Sequence, residues 1–217
     1  MTTFPRSPRL LRGAIITVEI YNPLSNVIVF QYNPETLSRS LEARRSSQGG
    51  SRAEALRLYG APQETIDAEI MIDATDQLEK RDASATRRGI YPQLAALESL
   101  LYPPTLQVIA NTVLAQLGTI EISPPQAPLT LFAWGARRIV PVNIEKLSIT
   151  EEAYDVNLNP IRAKVSLSLR VLTYDDLPVT SPGYALYLAH QAAKEALAIG
   201  ESTDNRNSIL RGETRII

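Results

Sequence analysis

The stretch Val27–Ser40 reads VIVFQYNPETLSRS and combines a strand with a corner and the start of a second strand. Its first four residues are β-branched or aromatic, which is typical of a strand. Pro34 fixes its own φ near about −65° and favours an extended conformation at Asn33, so the chain turns sharply there. The Asn33 side chain can bond the backbone just ahead of it and hold the corner. Local pattern alone predicts an ordinary β-meander corner.

The composition indicates a soluble globular protein without cysteine chemistry. The chain has 217 residues, a net charge of −1, 44% hydrophobic residues and no cysteine. This length suits one domain with an appendage. The near-neutral charge gives no electrostatic argument for nucleic acid or an anionic membrane, and no apolar run approaches the roughly 20 residues of a membrane span. We expect a non-secreted protein, in keeping with a reducing compartment.

Alternation of apolar and polar residues with a period of two predicts seven strands. The predicted strands are Leu11–Ile20, Val27–Gln31, Leu37–Leu41, Glu64–Ile72, Leu129–Trp134, Arg138–Glu152 and Ile161–Tyr174. The apolar phase of the sixth strand shifts at Glu145–Lys146, which predicts a bulge. The seventh strand has the clearest alternation in the chain.

Helical periodicity and capping residues predict three helices, at Tyr91–Leu101, Thr105–Leu117 and Pro182–Ile199. Other segments have the composition of connections. They are a flexible arm at 1–10, an extended polar loop at 42–58, an insertion at 105–126 that contains the second helix, and a polar tail that ends the segment 177–217.

Catalytic and metal-binding patterns are missing from the sequence. His190 is the only histidine, and no nucleophile elbow or phosphate-binding loop accompanies it. The carboxylates of Asp67, Glu69, Asp73 and Asp76 lack the glycine and the terminal glutamate of a calcium loop. We therefore expect no enzyme, no catalytic residue, no cofactor and no metal site. A hydrolase built on His190 is the enzyme alternative.

The predicted elements favour a mainly β protein, either a sandwich or a barrel, with one flanking helix, an inserted helical segment and a C-terminal helix. Long strands with few charged blocks also favour an assembly subunit, because an exposed strand edge is a liability unless a neighbour extends the sheet. A monomeric β-barrel that binds a small ligand, with Trp134 and Tyr32 as pocket aromatics, is the alternative of another class.

Several motifs follow one another in an order that is more specific than any one of them. They are Phe30–Ser38 (FQYNPETLS), the alternating run Ile66–Ile72, the helix Tyr91–Leu101, Phe132–Gly135 (FAWG), the long strand Ile139–Glu152 and the final segment Asn159–Tyr174. In this order the chain resembles the tube-domain proteins of contractile injection systems, which are phage-tail-like particles. The resemblance covers roughly Ile15–Asp176 and implies a tail-tube β domain over residues 11–176.

The resemblance implies a structural role in the baseplate of such a particle, as the adaptor that joins the inner tube to the central spike. It implies two packed sheets in a barrel-like body and a ring of six copies. The implied partners are other copies of the chain, the inner tube protein, the spike or hub protein and other baseplate proteins. The main inner-tube subunit is the runner-up. Many relatives carry a LysM-type module after the tube domain, and none is apparent in 177–217.

The resemblance also implies where copies of the chain touch one another. The expected inter-subunit contacts lie at the corner, on the extended loop and at the end of the fifth strand: Tyr32, Asn33, Pro34, Arg44, Arg45, Arg52 and Trp134. The loop 42–58 is expected to reach a neighbouring subunit and to order on assembly. We expect cytoplasmic assembly into a large particle, without nucleic acid and without direct insertion into a membrane.

Overall fold

The structure is a computed structural model that describes residues 11–18, 27–45, 57–116, 127–135 and 137–210, with the backbone alone described for 200–210. The strands are β1 (Ala14–Val18), β2 (Val27–Val29), β3 (Leu37–Glu42), β4 (Gln63–Asp73), β5 (Leu129–Ala133), β6 (Ile139–Tyr154) and β7 (Pro160–Val171). The helices are α1 (Thr75–Glu79), α2 (Ala83–Arg88), α3 (Tyr91–Glu98), α4 (Thr105–Gln116) and α5 (Pro182–Leu210).

One antiparallel sheet holds all seven strands, in the order β2-β1-β5-β6-β7-β4-β3. The predicted class is confirmed, because the protein is mainly β with a flanking helix, an inserted helix and a C-terminal helix. The resemblance implied two packed sheets, whereas the described strands hydrogen-bond into one continuous sheet.

The sheet is rolled, because its two edge strands are joined by a short connection. The edges β2 and β3 follow each other in the chain, and only residues 30–36 lie between them. Six strand spacings in a flat sheet would separate the edges by about 29 Å. A fully extended connection would span about 28 Å at most, and this one contains a corner. The corner can therefore be accommodated only if the edges curl towards each other into a barrel-like body.

The core lies inside the rolled sheet and is closed on one side by α3. Phe30, Phe132 and Leu169 are almost completely buried in it, together with Leu94 and Leu97 of α3. These two leucines occupy one stripe of the helix, as the sequence predicts. Pro92 stands near the first position of α3, where its missing N–H costs nothing.

Two local features differ in how well the sequence signals them. The bulge predicted at Glu145–Lys146 is confirmed, because the β6–β7 register shifts between Ile144 and Lys146. The charged segment 73–89, in contrast, contains the short helices α1 and α2. Asp82 caps α2 by accepting hydrogen bonds from the backbone N–H groups of Ser84 and Ala85 at 2.9 Å.

The C-terminal helix α5 is longer than the sequence predicts. It continues beyond Gly200 to Leu210, since one glycine costs a helix only about 1 kcal/mol. Its first turns pack on the body through Gly183 and Tyr187. Lys194 then bonds the buried carboxylate of Glu64 at 3.2 Å. Across the described chain, no helix is both long and apolar enough to cross a bilayer.

Candidate assembly surfaces

The side chain of Asn33 fastens the corner to the beginning of β1. Its Oδ1 accepts a hydrogen bond from the backbone N–H of Gly13 at 2.9 Å, and its Nδ2 donates to the carbonyl of Leu11 at 2.8 Å. The sequence predicts that Asn33 bonds backbone just ahead of it, and the partners lie instead about twenty residues earlier. The amide is thus occupied within its own chain, next to the half-buried ring of Pro34.

Gln31 closes the rolled sheet from the same corner, a role that no local sequence pattern indicates. Its Oε1 accepts a hydrogen bond from the backbone N–H of Asp73 at 2.9 Å, and its Nε2 donates to the carbonyl of Asp73 at 2.6 Å. Asp73 ends β4, beyond the last β4 residue that pairs with β3, which is Ala68. The side-chain amide of Gln31 therefore makes the two hydrogen bonds that a neighbouring strand would make with β4, at a position where β3 no longer pairs with it.

Trp134 lies close to the corner because both pack around Gly13. The Trp134 ring stacks on Phe132 with a centroid distance of 5.9 Å. A Cβ atom on Gly13 would lie 2.8 Å from the Trp134 ring and 2.7 Å from Phe30, so only glycine fits. Tyr32 is about half exposed and does not line the groove that Trp134 lines. The structure therefore does not bring these two aromatics together as one ligand pocket.

The carboxylates of Asp73 and Asp176 are held in the ionised form by hydrogen bonds. Burial acts to raise the pKa of Asp73, but hydrogen bonds from Thr75 and Arg162 outweigh it and lower the pKa below its ordinary value. The Arg162 Nε lies 2.7 Å from the Asp73 carboxylate. Burial likewise acts to raise the pKa of Asp176, and bonds from Thr173 with the charge of Arg170 bring it down.

We expect the stability of the chain to fall at acid pH through these two groups. A lowered folded-state pKa adds stability above the unfolded value of about 3.9, and that stability is lost as the pH falls through the folded value. Urea denaturation should show a first decline in the free energy of unfolding below about pH 6.5, where the lowered pKa of His190 disfavours its protonation in the folded state, and a further decline below about pH 4 from the two aspartates. The double variant Asp73→Asn, Asp176→Asn should decline less. An equal decline in both proteins would contradict this assignment.

The base of the extended loop is fixed to the body, although the loop tip is not described. Arg45 and Leu58 form an antiparallel bridge, and the backbone N–H of Tyr59 donates to the carbonyl of Arg44 at 3.0 Å. The guanidinium of Arg44 lies 3.6 Å from the carboxylate of Asp175. Arg44 and Arg45 thus take part in closing the loop, while Arg52 lies outside the described residues.

Among the described strands, two edges on opposite sides of one four-stranded section have no pairing partner. β6 pairs with β5 only through residues 139–142, whereas its pairing with β7 extends to Tyr154. Within the described sheet, residues 143–154 therefore have one edge without a partner strand. β3 is the outer strand on the other side of β7 and β4. Within the described ranges, no backbone hydrogen bond from another segment reaches either edge.

The outer face of this four-stranded section, β6-β7-β4-β3, is polar. Its residues include Ser38 and Ser40 in β3, Thr65, Asp67 and Glu69 in β4, Lys164, Ser166 and Ser168 in β7, and Lys146, Ser148 and Thr150 in β6. The opposite face carries the core residues of the same strands. Lys164 and Glu69 form an ion pair at 3.1 Å across this face. Such a face suits contact with water.

Helix α4 presents its apolar residues outward. None of its residues is buried, and the half-buried ones include the polar Gln107 and Asn111. Its exposed apolar side chains are Leu106, Val108, Ile109, Val113 and Leu114. No charged residue occurs between Glu98 and Glu121. A helix with this arrangement is stabilised when an apolar surface covers it.

The surroundings of His190 do not resemble a catalytic site. Burial lowers its pKa, and the nearby positive charges of Lys194 and Arg39 act in the same direction. In the part of the chain that the structure describes, no carboxylate or hydroxyl bonds its ring. The described residues also contain no group of three or more acidic or histidine side chains that could hold a metal ion.

Comparison with known proteins places the chain in a family. A family model described as contractile injection system tube protein matches residues 17–177, which is most of the chain. A search of curated proteins gave no significant match. The matched region contains six of the seven strands in full, the corner at Asn33-Pro34 and the Phe132–Gly135 motif. The chain therefore belongs to the family of contractile injection system tube proteins.

Proposed function

We propose that the chain is a ring-forming subunit in the baseplate of a contractile injection system, at the junction between inner tube and spike. The observation that carries the ring is the pair of free edges on opposite sides of one four-stranded section. The β6 edge of one copy would pair with the β3 edge of the next. Because the two edges are different surfaces, this contact is head-to-tail and generates a ring when the rotation closes.

The difference between the two faces of the four-stranded section favours one direction of curvature for such a ring. One face consists of the polar side chains of the four strands. The other face is covered by the core, α3 and the remaining strands, so it is the bulkier side. In a closed ring the bulkier side belongs at the larger radius. The polar face with Ser148, Ser166 and Asp67 would then line a water-filled channel. We take six copies and cytoplasmic assembly from the resemblance.

The proposed position of the subunit beside the spike is supported by exposed surfaces that the contacts within the ring do not occupy. The apolar helix α4 and the helix α5, whose side chains from Glu195 to Ile199 are exposed, lie outside the two edges. A junction ring has different neighbours above and below and needs additional contact surfaces. The alternative, the main inner-tube subunit, requires only contacts with copies of itself.

Paired cysteines test the ring directly, because the chain has none of its own. Ser40→Cys lies in the middle of β3 and Ser148→Cys in the middle of the free part of β6, and both serines are exposed. In particles assembled with their other components, a flexible bis-maleimide should link the double variant into a ladder that ends at the closed ring.

Each single variant is the matched control and should remain uncross-linked, because a head-to-tail contact never brings like edges together. Dimers from a single variant would show that identical edges meet and would overturn the ring. A double variant that stays monomeric in assembled particles would do the same.

A further inference from the structure

An apolar groove with a positively charged rim runs along one face of α5. The α5 residues that line it are Leu186, Ala189, His190, Ala193, Lys194, Ala196 and Leu197. They recur every three or four positions and therefore share one face of the helix, over a length of about 16 Å. Trp134, which follows β5, and Ile139, which begins β6, form another part of the wall. The cavity has a volume of about 880 Å³, and we name it the α5 groove.

The dimensions of the α5 groove suit a second helix. Ala189, Ala193 and Ala196 are exposed, and the Leu197 side chain is 61% exposed. The side chains at a contact set the distance between packed helices, which is about 8–10 Å, so a wall of alanines allows a close approach. A groove that follows a helix for about three turns is the shape that receives an amphipathic helix, whereas a small molecule is usually enclosed on most sides.

The charges around the α5 groove are mostly positive. Arg39, Arg137, Arg138 and Lys194 line it, and none of its described lining residues is acidic. Arg39 and Lys194 share the buried carboxylate of Glu64, at 2.7 Å from the Arg39 Nε and 3.2 Å from the Lys194 Nζ. No described carboxylate forms an ion pair with Arg137 or Arg138. The groove therefore has an excess of positive charge that an acidic partner would neutralise.

We propose that the α5 groove binds an amphipathic helix of a different protein, in which acidic residues flank an apolar stripe. The apolar stripe would cover Trp134, Leu186 and Leu197, and the carboxylates would lie beside Arg137 and Arg138. This contact uses side chains beside α5 and not the backbone edges of β3 and β6. It therefore adds a partner to the chain and does not depend on closure of the proposed ring.

Other segments of this chain are poorer occupants of the α5 groove. A second copy of α5 would bring another Lys194 to the positively charged rim. Helix α4 has apolar side chains but no charged residue that could pair with the arginines. Segment 1–10 holds two arginines and no acidic residue, and segment 211–217 holds two arginines and one glutamate. We therefore assign the occupant to another protein.

The single tryptophan of the chain lies in this groove and can report on its occupant. Trp134 is half-buried, so its emission should respond when a helix covers it. The probe is a tryptophan-free amphipathic peptide of about 18 residues, with leucines on one face and glutamates beside them. It should shift the Trp134 emission to shorter wavelength in a saturable way. A peptide with lysine in place of each glutamate should bind at least about tenfold more weakly. So should a scrambled peptide whose leucines share no face.

Two neighbouring alanines of α5 provide a matched pair of variants. Both are exposed, but Ala193 lines the groove and Ala192 does not. Ala193→Glu should weaken binding of the acidic peptide at least about tenfold, and Ala192→Glu should leave it unchanged. Thermal unfolding should be alike in the two variants, since neither alanine is buried. The double variant Arg137→Glu, Arg138→Glu should also weaken the binding at least about tenfold.

Equal binding of the acidic and lysine peptides, or equal binding by the two alanine variants, would overturn the inference. An unchanged Trp134 emission with the acidic peptide would also overturn it, and a shift only with phosphatidylglycerol vesicles would indicate a membrane surface instead. A chain that binds the acidic peptide but forms no ring would refute the proposed ring alone.

Cross-linking in assembled particles tests whether the occupant is a different protein. The chain has no cysteine of its own, so a benzophenone maleimide can be attached to the Ala193→Cys variant alone. Irradiation should join the chain to another protein of the particle, through a peptide that mass spectrometry identifies as acidic and apolar. A product of two copies of this chain, or no product, would overturn the assignment.

Discussion

Replacing Gly89 by alanine is expected to lower the free energy of unfolding by about 3 kcal/mol or more. Gly89 has a φ of +56°, and an added Cβ would lie 2.0 Å from the carbonyl oxygen of Pro160. The same oxygen accepts a hydrogen bond from the backbone N–H of Ile90 at 2.8 Å, which fixes the start of β7 against the segment that leads into α3. Neither backbone can move away without breaking this bond.

Gly135→Ala is the matched control for this substitution. Gly135 also has a positive φ, of +74°, but nothing lies within 4 Å of its added Cβ. The Gly135→Ala variant should have a free energy of unfolding only about 1–2 kcal/mol lower, which is the cost of a left-handed backbone at a residue with a side chain. Urea denaturation of the two variants measures the difference. Equal losses would show that the contact with Pro160 adds nothing to the backbone strain.

Phe132→Ala should also have a large effect and lower the free energy of unfolding by about 4 kcal/mol. The Phe132 side chain is fully buried and lies between Phe30, with ring centroids 6.4 Å apart, and Trp134, at 5.9 Å. Its removal leaves a cavity where β5 packs on the residue that follows β2. The corner residues Gln31 and Asn33 then lose the support beneath them.

Leu106→Ala on helix α4 is the control for Phe132→Ala, since it also shortens a large apolar side chain. Because Leu106 is exposed, Leu106→Ala should lower the free energy of unfolding of the isolated subunit by no more than about 0.5 kcal/mol. Equilibrium urea unfolding of both variants gives the comparison. A loss below about 1 kcal/mol for Phe132→Ala would mean that the core collapses around the missing ring.

The corner illustrates what local sequence does and does not determine. Pro34 and the β-branched run before it predict a strand and a turn, and both are present. The partners of the two amides are Leu11, Gly13 and Asp73, which lie up to 42 residues away. No local pattern encodes such contacts, because they depend on how the whole sheet rolls.

The assembly surfaces differ in how far they could be predicted. The sequence predicts that the sixth strand is much longer than the fifth, but the free edge on β6 also depends on which strands pair, which the sequence analysis did not predict. The outward apolar face of α4 could not be predicted, because an apolar stripe normally marks the side of a helix that enters the core.

Closure of the sheet by a glutamine side chain has a kinetic consequence. Gln31 closes the sheet at the end of β4 through its own side chain, and that closure uses neither the edge of β3 nor the free part of β6. In the proposed ring, a subunit therefore arrives with both edges ready and nothing to unfold. Assembly of the proposed ring would then need no unfolding step, and its rate should follow the concentration of native subunits.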